Sequence, residues 1–215
     1  WKFVASSSQF LSAPDHANFS LWDSDWTVDY WINHITINGA DRGHWSWWAD
    51  NSNRVTVASP GSGELTDLRV SGETSGGVRW SYDATSTGLT TSTWQHMAHE
   101  LSGGTVYTYV DGVDKGNGAK SGSIGDLAAT FFIGKRLGVG GFLDAYIDEF
   151  RISNTARYGG SGFTPETTPY AVDANTIVLI HCGETVDGGT FTDTAGTHEW
   201  TLNNTPTQDT GTYKF

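Results

Sequence analysis

The chain has 215 residues, enough for one sizeable all-β domain, and no apolar stretch in it approaches the length of a membrane span. Twenty-four acidic against twelve basic residues leave a net charge of −12, which repels a phosphate backbone or an anionic bilayer, so neither nucleic acid nor membrane insertion is expected. Twenty-seven glycines beside ten Trp, ten Phe and eight Tyr describe many short aromatic strands joined by tight turns, with no helix longer than a turn or two.

The chain opens on Trp1 without a basic-then-apolar leader, which reads as a processed product or a piece of something longer. From Trp26 to Ile32 the even positions Trp26, Val28, Tyr30 and Ile32 form an apolar stripe, while Thr27, Asp29 and Asn33 face the other way and Trp31 breaks the pattern. In "GHWSWWADNSNR" a strand would turn Trp45 and Trp47 to one face and Trp48 to the other, so at least one of them goes inward. Sugar rings stack on tryptophan, and the Asp50, Asn51 and Asn53 that follow offer groups for sugar hydroxyls. A glycan site at Trp45, Trp47, Asp50, Asn51 and Asn53 is therefore expected, with core packing as the plainer role of a Trp here. Ser59–Gly77 reads as irregular loops around a short strand at Asp67–Val70.

"WQHMAHE", Trp94 to Glu100, looks at first like a metalloprotease fragment. In a strand, however, His96 and His99 differ by an odd number and point to opposite faces, so they cannot share a metal. Trp94, His96 and Ala98 share one face and Met97, His99 and Leu101 the other, as packed or hydrogen-bonded strand residues. "GTVYTYVDGV" then runs into Asp111-Gly112, a dipeptide that accepts positive φ in a two-residue hairpin turn. "DGVDKGNG" lacks the spacing and the terminal Glu of a calcium-binding EF-hand loop. "TFFIG", "AYIDEFRIS" and "TIVLIHC" are further strands, separated by a connector at Gly159–Pro169. The last is apolar on both faces and is expected at the centre of a sheet, with Cys182 as a small buried thiol.

In order along the chain, "SSSQFLSAPDHANFSL", "DWTVDYWIN", "WQHMAHELSGGTVYTYVDGV", "FFIGKR" and "YIDEFRISNTARYGGSGFTPETTPY" closely resemble the laminin-G-like jelly-roll domains of the concanavalin A-like lectin/glucanase superfamily. The resemblance spans roughly residues 3–170 and is closest to versions in bacteriophage virion and tail-fibre proteins and in tandem arrays of secreted bacterial proteins. It implies a two-sheet antiparallel jelly-roll sandwich in which the histidine segment is wall. In such modules "TIVLIHC…GGTFTDTAGTHEWTLNNTPTQDTGTYKF" resembles a beginning rather than an end, and Lys214-Phe215 echoes Lys2-Phe3. Residues 1–215 are thus expected to form a single domain, with 174–215 supplying the front strands of this sandwich, as in a circular permutation, or those of a neighbour.

The glucanase branch hydrolyses with paired carboxylates spaced Glu-x-Asp-x-x-Glu on one strand, and no such spacing occurs here. No nucleophile elbow, phosphate-binding glycine loop or Cys–His pairing occurs either. Asp193-Thr-Ala-Gly196 resembles the turn that often carries calcium in the family, with Asp148 as a second ligand. A Ca²⁺ site at Asp193, Gly196 and Asp148 is expected, against the alternative that Asp193 caps its own turn and Asp148 accepts loop amides. The sequence therefore points to a non-catalytic recognition or adhesion module, extracellular or on a virion surface, that binds a cell-surface or extracellular glycan. The alternatives are a structural fibre or decoration module contacting copies of itself and, more weakly, a glycan hydrolase.

Overall fold

Alternating side chains and glycine-rich turns produce an all-β chain, seen in a computed structural model that describes residues 1–37, 42–59, 67–136, 141–196, 198–209, 211–212 and 214–215. In chain order the strands are β1 (Lys2–Phe3), β2 (Phe10–Ala13), β3 (Trp26–His34), β4 (Arg42–Asp50), β5 (Asn53–Ser59), β6 (Leu68–Thr74), β7 (Gly77–Ala84), β8 (Trp94–Ser102), β9 (Thr105–Val110), β10 (Val113–Ala119), β11 (Thr130–Ile133), β12 (Ala145–Ser153), β13 (Thr176–Ile180), β14 (Thr190–Thr192) and β15 (Glu199–Asn203). Single 3₁₀ turns at Ala5–Ser7 and Ala17–Phe19 are the only helical elements among the described residues.

Two antiparallel sheets pack face to face. One runs β1-β12-β3-β8-β9-β10, with β13 also paired to β12; the other runs β14-β15-β2-β11-β4-β5-β6-β7. The stripe Trp26, Val28, Tyr30 and Ile32 turns fully inward, as its period demands. It meets rings from the other sheet, with the Trp26 centroid 6.5 Å from those of both Trp45 and Trp80 and the Tyr30 centroid 6.0 Å from that of His44. Gly72 is required by this packing, since a Cβ there would lie 2.4 Å from the ring of Trp80. Asp111 and Gly112 both take positive φ, 50° and 77°, and close the β9–β10 hairpin.

Two sequence expectations change. Ser59–Gly77 is not mostly loop: β6 extends to Thr74 and pairs along its length with β7, with a register shift between Gly72 and Glu73, while residues 60–66 lie outside the described residues. β13 is not central. It hangs on β12 beside the short β1, and its far side is met by the Thr194 amide, which donates to the Leu179 carbonyl. It is nonetheless apolar on both faces because Val178 and Ile180 enter the main core, while Leu179 joins Trp31 and Tyr170 in a second cluster. Trp31 thus has its own apolar pocket on the sheet's outer side. The segment after residue 174 pairs within its own chain, β13 with β12 and β15 with β2.

Candidate functional site

The outer faces of the two sheets carry opposite arrangements. On the β12-β3-β8 side, the odd positions of β3 bring Asp29 to a fully buried place. Arg151 of β12 grips its carboxylate through two hydrogen bonds of 3.0 and 2.6 Å, and the Tyr158 hydroxyl donates a third of 2.5 Å. Arg151 also lies over the Tyr170 ring at 3.9 Å. Glu100, buried on β8, accepts the amides of Tyr158 and Gly160 at 2.7 and 2.9 Å. The connector after β12 is thereby pulled down onto the sheet, and the stacked rings of Tyr158 and Phe163 close it. Asp29 and Arg151 leave water because each neutralises the other with good geometry.

The two histidines of β8 part as their spacing requires. His96 faces the connector and bonds the Tyr170 hydroxyl at 2.6 Å; burial lowers its pKa to about 4 despite nearby Asp29. His99 faces the core. There a chain of polar groups, buried up to the half-buried Tyr82, crosses the interior: His34 to His44 (3.4 Å), His44 to Tyr30 (2.8 Å), Tyr30 to His99 (3.3 Å), His99 to Thr108 (3.1 Å) and Thr108 to Tyr82 (2.8 Å). Burial pushes the pKa of His34 to about 4 and of His99 to about 3, so both are neutral links in this chain. The grouping does polar bookkeeping inside the sandwich and presents no reactive atom to solvent.

The expected glycan residues divide. Trp45 and Trp47 are fully buried, which corrects their assignment to a binding platform. The register explains it: Trp45 stands between Ile133 and Val57, and Trp47 between Phe131 and Val55, so both belong to the apolar rows facing the core. Asp50 and Asn53 are at the tip of the β4–β5 hairpin with exposed Asn51. Asn53 and the Ser52 amide hydrogen-bond the Asp50 carboxylate and hold its pKa below the ordinary range, while the Asn53 side-chain Oδ1 accepts the Ser75 amide. Those polar groups fasten two adjacent hairpin tips together.

The expected calcium residues are held by donors. Asp148 accepts the amides of Glu149 and Cys182 on one oxygen, at 2.9 and 2.8 Å, and that of Lys214 on the other, at 3.1 Å. One oxygen of Asp193 accepts the His198 amide, the His198 Nδ1 and the Trp200 indole N–H, and the Gly196 amide closes the turn on the Asp193 carbonyl. Amide and ring N–H groups thus take up three of the four carboxylate oxygens, and the remaining buried Asp193 oxygen has no partner among the described residues. Ca²⁺ asks for about six to eight oxygens. This donor set does not fit it, and among the described residues no three His, Cys, Asp or Glu side chains converge as a metal centre.

The aromatic surface lies elsewhere, on the outer face of the eight-stranded sheet. Trp48, whose parity is opposite to that of Trp47, is only partly buried there, and the Arg54 guanidinium sits 5.3 Å from its ring centre. Arg54 is held in turn by Glu73 at 2.7 Å. Phe132, opposite Ser46 across the β11–β4 pair, is a diagonal neighbour of Trp48. Phe132 is joined by Phe10 and Phe142, at centroid distances of 5.8 Å between Phe10 and Phe132 and 6.0 Å between Phe10 and Phe142. All three are partly exposed. Sequence reasoning passed over them, although the signal was present: with Leu11 and Ala13 inward, Phe10 must face out, and in "TFFI" one of the adjacent phenylalanines must do the same.

Residues 5–159 match the family model of the concanavalin A-like lectin/glucanases superfamily. Among solved structures, the fold is similar to a Bacteroides ovatus ATCC 8483 protein with an inferred carbohydrate-binding role, at a TM-score of 0.68 and 18% identity, covering 94% of this chain and 57% of that one. It is also similar to NanB, solved with Optactamide (TM-score 0.54, 15% identity, 72% of this chain and 24% of that one). A third is the binding domain of Paraclostridial Mosquitocidal Protein 1 (TM-score 0.53, 12% identity, 72% and 42%). The chain thus spans little more than half the length of the first of these and less of the others. No curated protein matches the sequence.

Proposed function

Because the chain belongs to the concanavalin A-like lectin/glucanase superfamily, we propose that it is a non-catalytic glycan-recognition module whose binding surface is the outer face of the eight-stranded sheet. One observation carries the reading: four partly exposed aromatic side chains, Trp48, Phe10, Phe132 and Phe142, share that face, whereas the opposite outer face is roofed by the connector. Aromatic faces on a rigid sheet offer the C–H faces of a sugar ring a flat apolar contact at little entropic cost. The inferred carbohydrate-binding role of the Bacteroides ovatus neighbour supports the same reading. Glycans of this kind are displayed outside cells, so we place the module extracellularly or on a virion surface.

A glycan array followed by calorimetry on the best hit tests the proposal. Binding is expected, unchanged by EDTA, and weakened at least about tenfold by Trp48→Ala or Phe132→Ala, the range of a lost stacking contact. An array silent for a well-folded protein that forms ordered oligomers would instead favour a structural module. Release of reducing sugar abolished by a carboxylate substitution would restore the hydrolase reading.

A further inference from the structure

Lys135 follows β11 and sets its ammonium among the three phenylalanine rings of the outer face, 4.4 Å from the centroid of Phe10, 4.9 Å from Phe132 and 5.9 Å from Phe142. Its main chain is anchored where the Ser46 hydroxyl donates to its carbonyl at 3.0 Å. The chain carries twice as many acidic as basic residues, and five other cations have found carboxylates: Arg54 with Glu73, Arg69 with Asp83, Lys120 with Asp23, Arg151 with Asp29 and Arg157 with Asp173. Lys135 has none among the described residues and, like Lys214 over Trp31 on the opposite face, sets its positive charge against ring faces. Partial burial lowers its pKa from the ordinary lysine value, a sign that the ammonium has given up water for that cage. A cation stripped of part of its hydration, and carrying no internal counter-ion, gains strongly from an incoming anion.

We infer that Lys135 selects glycans bearing an anionic group, a carboxylate or a sulfate ester, with the charge bound at its ammonium while the sugar ring lies on Phe10 and Phe132. The inference rests on the glycan reading above and names the substrate class of that same face. Phe142 closes the third side of the cage, so the anion enters from solvent over the sheet. Long-range repulsion from the net negative charge of the protein makes this selection a short-range one, exerted by contact.

The test is an array holding neutral, uronate-containing, sialylated and sulfated glycans, probed with the wild-type chain, Lys135→Gln and Lys135→Arg. Acidic glycans are expected to bind. The best acidic hit should bind about tenfold or more tighter than its neutral methyl ester or desulfated counterpart, as a charge-assisted contact implies. In Lys135→Gln that preference should collapse to parity, and Lys135→Arg should keep most of it. Whether uronates and sialosides or sulfate esters respond tells carboxylate from sulfate. Hits confined to neutral glycans, or an acidic preference untouched by Lys135→Gln, overturn this inference and leave the glycan reading standing. Silence across the whole array, with the melting curve showing a folded protein, overturns both.

Discussion

The two outer faces of this sandwich are built from the same alternating strands yet solve opposite problems. On the β12-β3-β8 face the buried carboxylates are matched: Asp29 by Arg151 and Tyr158, and Glu100 by the amides of Tyr158 and Gly160, under a roof of stacked rings. On the β2-β11-β4 face the aromatic residues stay partly open, and Lys135 has rings where a carboxylate would be expected. The first arrangement stabilises the fold by satisfying what it buries; the second holds interaction capacity in reserve, which is how a binding surface differs from a wall.

Substitutions can sharpen that contrast. Asp29→Ala leaves the nearly buried Arg151 guanidinium without its anion and should cost about 3–5 kcal/mol in urea unfolding; a loss below about 1 kcal/mol would mean that the roof contributes nothing. Trp45→Ala should cost about 3–5 kcal/mol as a core cavity, whereas its near neighbour Trp48→Ala should cost no more than about 1 kcal/mol, the ordinary range for a surface change. Equal losses at the two would erase the distinction between core and platform.

Acid should probe the interior. His34, His96 and His99 have folded pKa values depressed to about 4, 4 and 3 from an ordinary 6.5, so in the window between, the unfolded chain binds protons that the folded one refuses. Stability therefore falls as pH drops from about 6.5 toward 4, by up to about 1.4 kcal/mol per pH unit for each histidine. His181, raised by its hydrogen bond to Glu149, opposes this: its contribution is complete in acid and fades as pH rises through its folded value. A melting temperature flat between pH 7 and pH 4 would contradict the buried histidine chain.

Much of the architecture was legible in the residues. The even stripe of β3, the separation of His96 from His99 and the Asp111-Gly112 turn follow from a period of two and from what glycine permits. The edge position of β13 was not, because an apolar strand reads as central whether strands or a folded-back connector cover it; Leu179 is buried by Trp31 and Tyr170. The site was half legible. Parity set Trp48 apart from Trp45 and Trp47, but which side is the core depends on Val55, Val57, Phe131 and Ile133 across the ladders, and that pairing is non-local. The Lys135 cage joins residues 10, 132, 135 and 142, which only the β2–β11 pairing and the Lys135–Phe142 bridge bring together. For Asp148 and Asp193 the sequence left two roles open, and the amides of Cys182, Lys214 and His198 that they accept come from segments that the sequence does not place beside them.

The central claim, that recognition belongs to the open aromatic face, is tested most directly by following backbone amide resonances while titrating the best glycan from the array. Shifts are expected to cluster at Phe10, Trp48, Arg54, Phe132 and Lys135, with the connector from 157 to 170 unmoved. Shifts confined to that connector, or to the 50–53 hairpin tip, with the outer face silent, would contradict it.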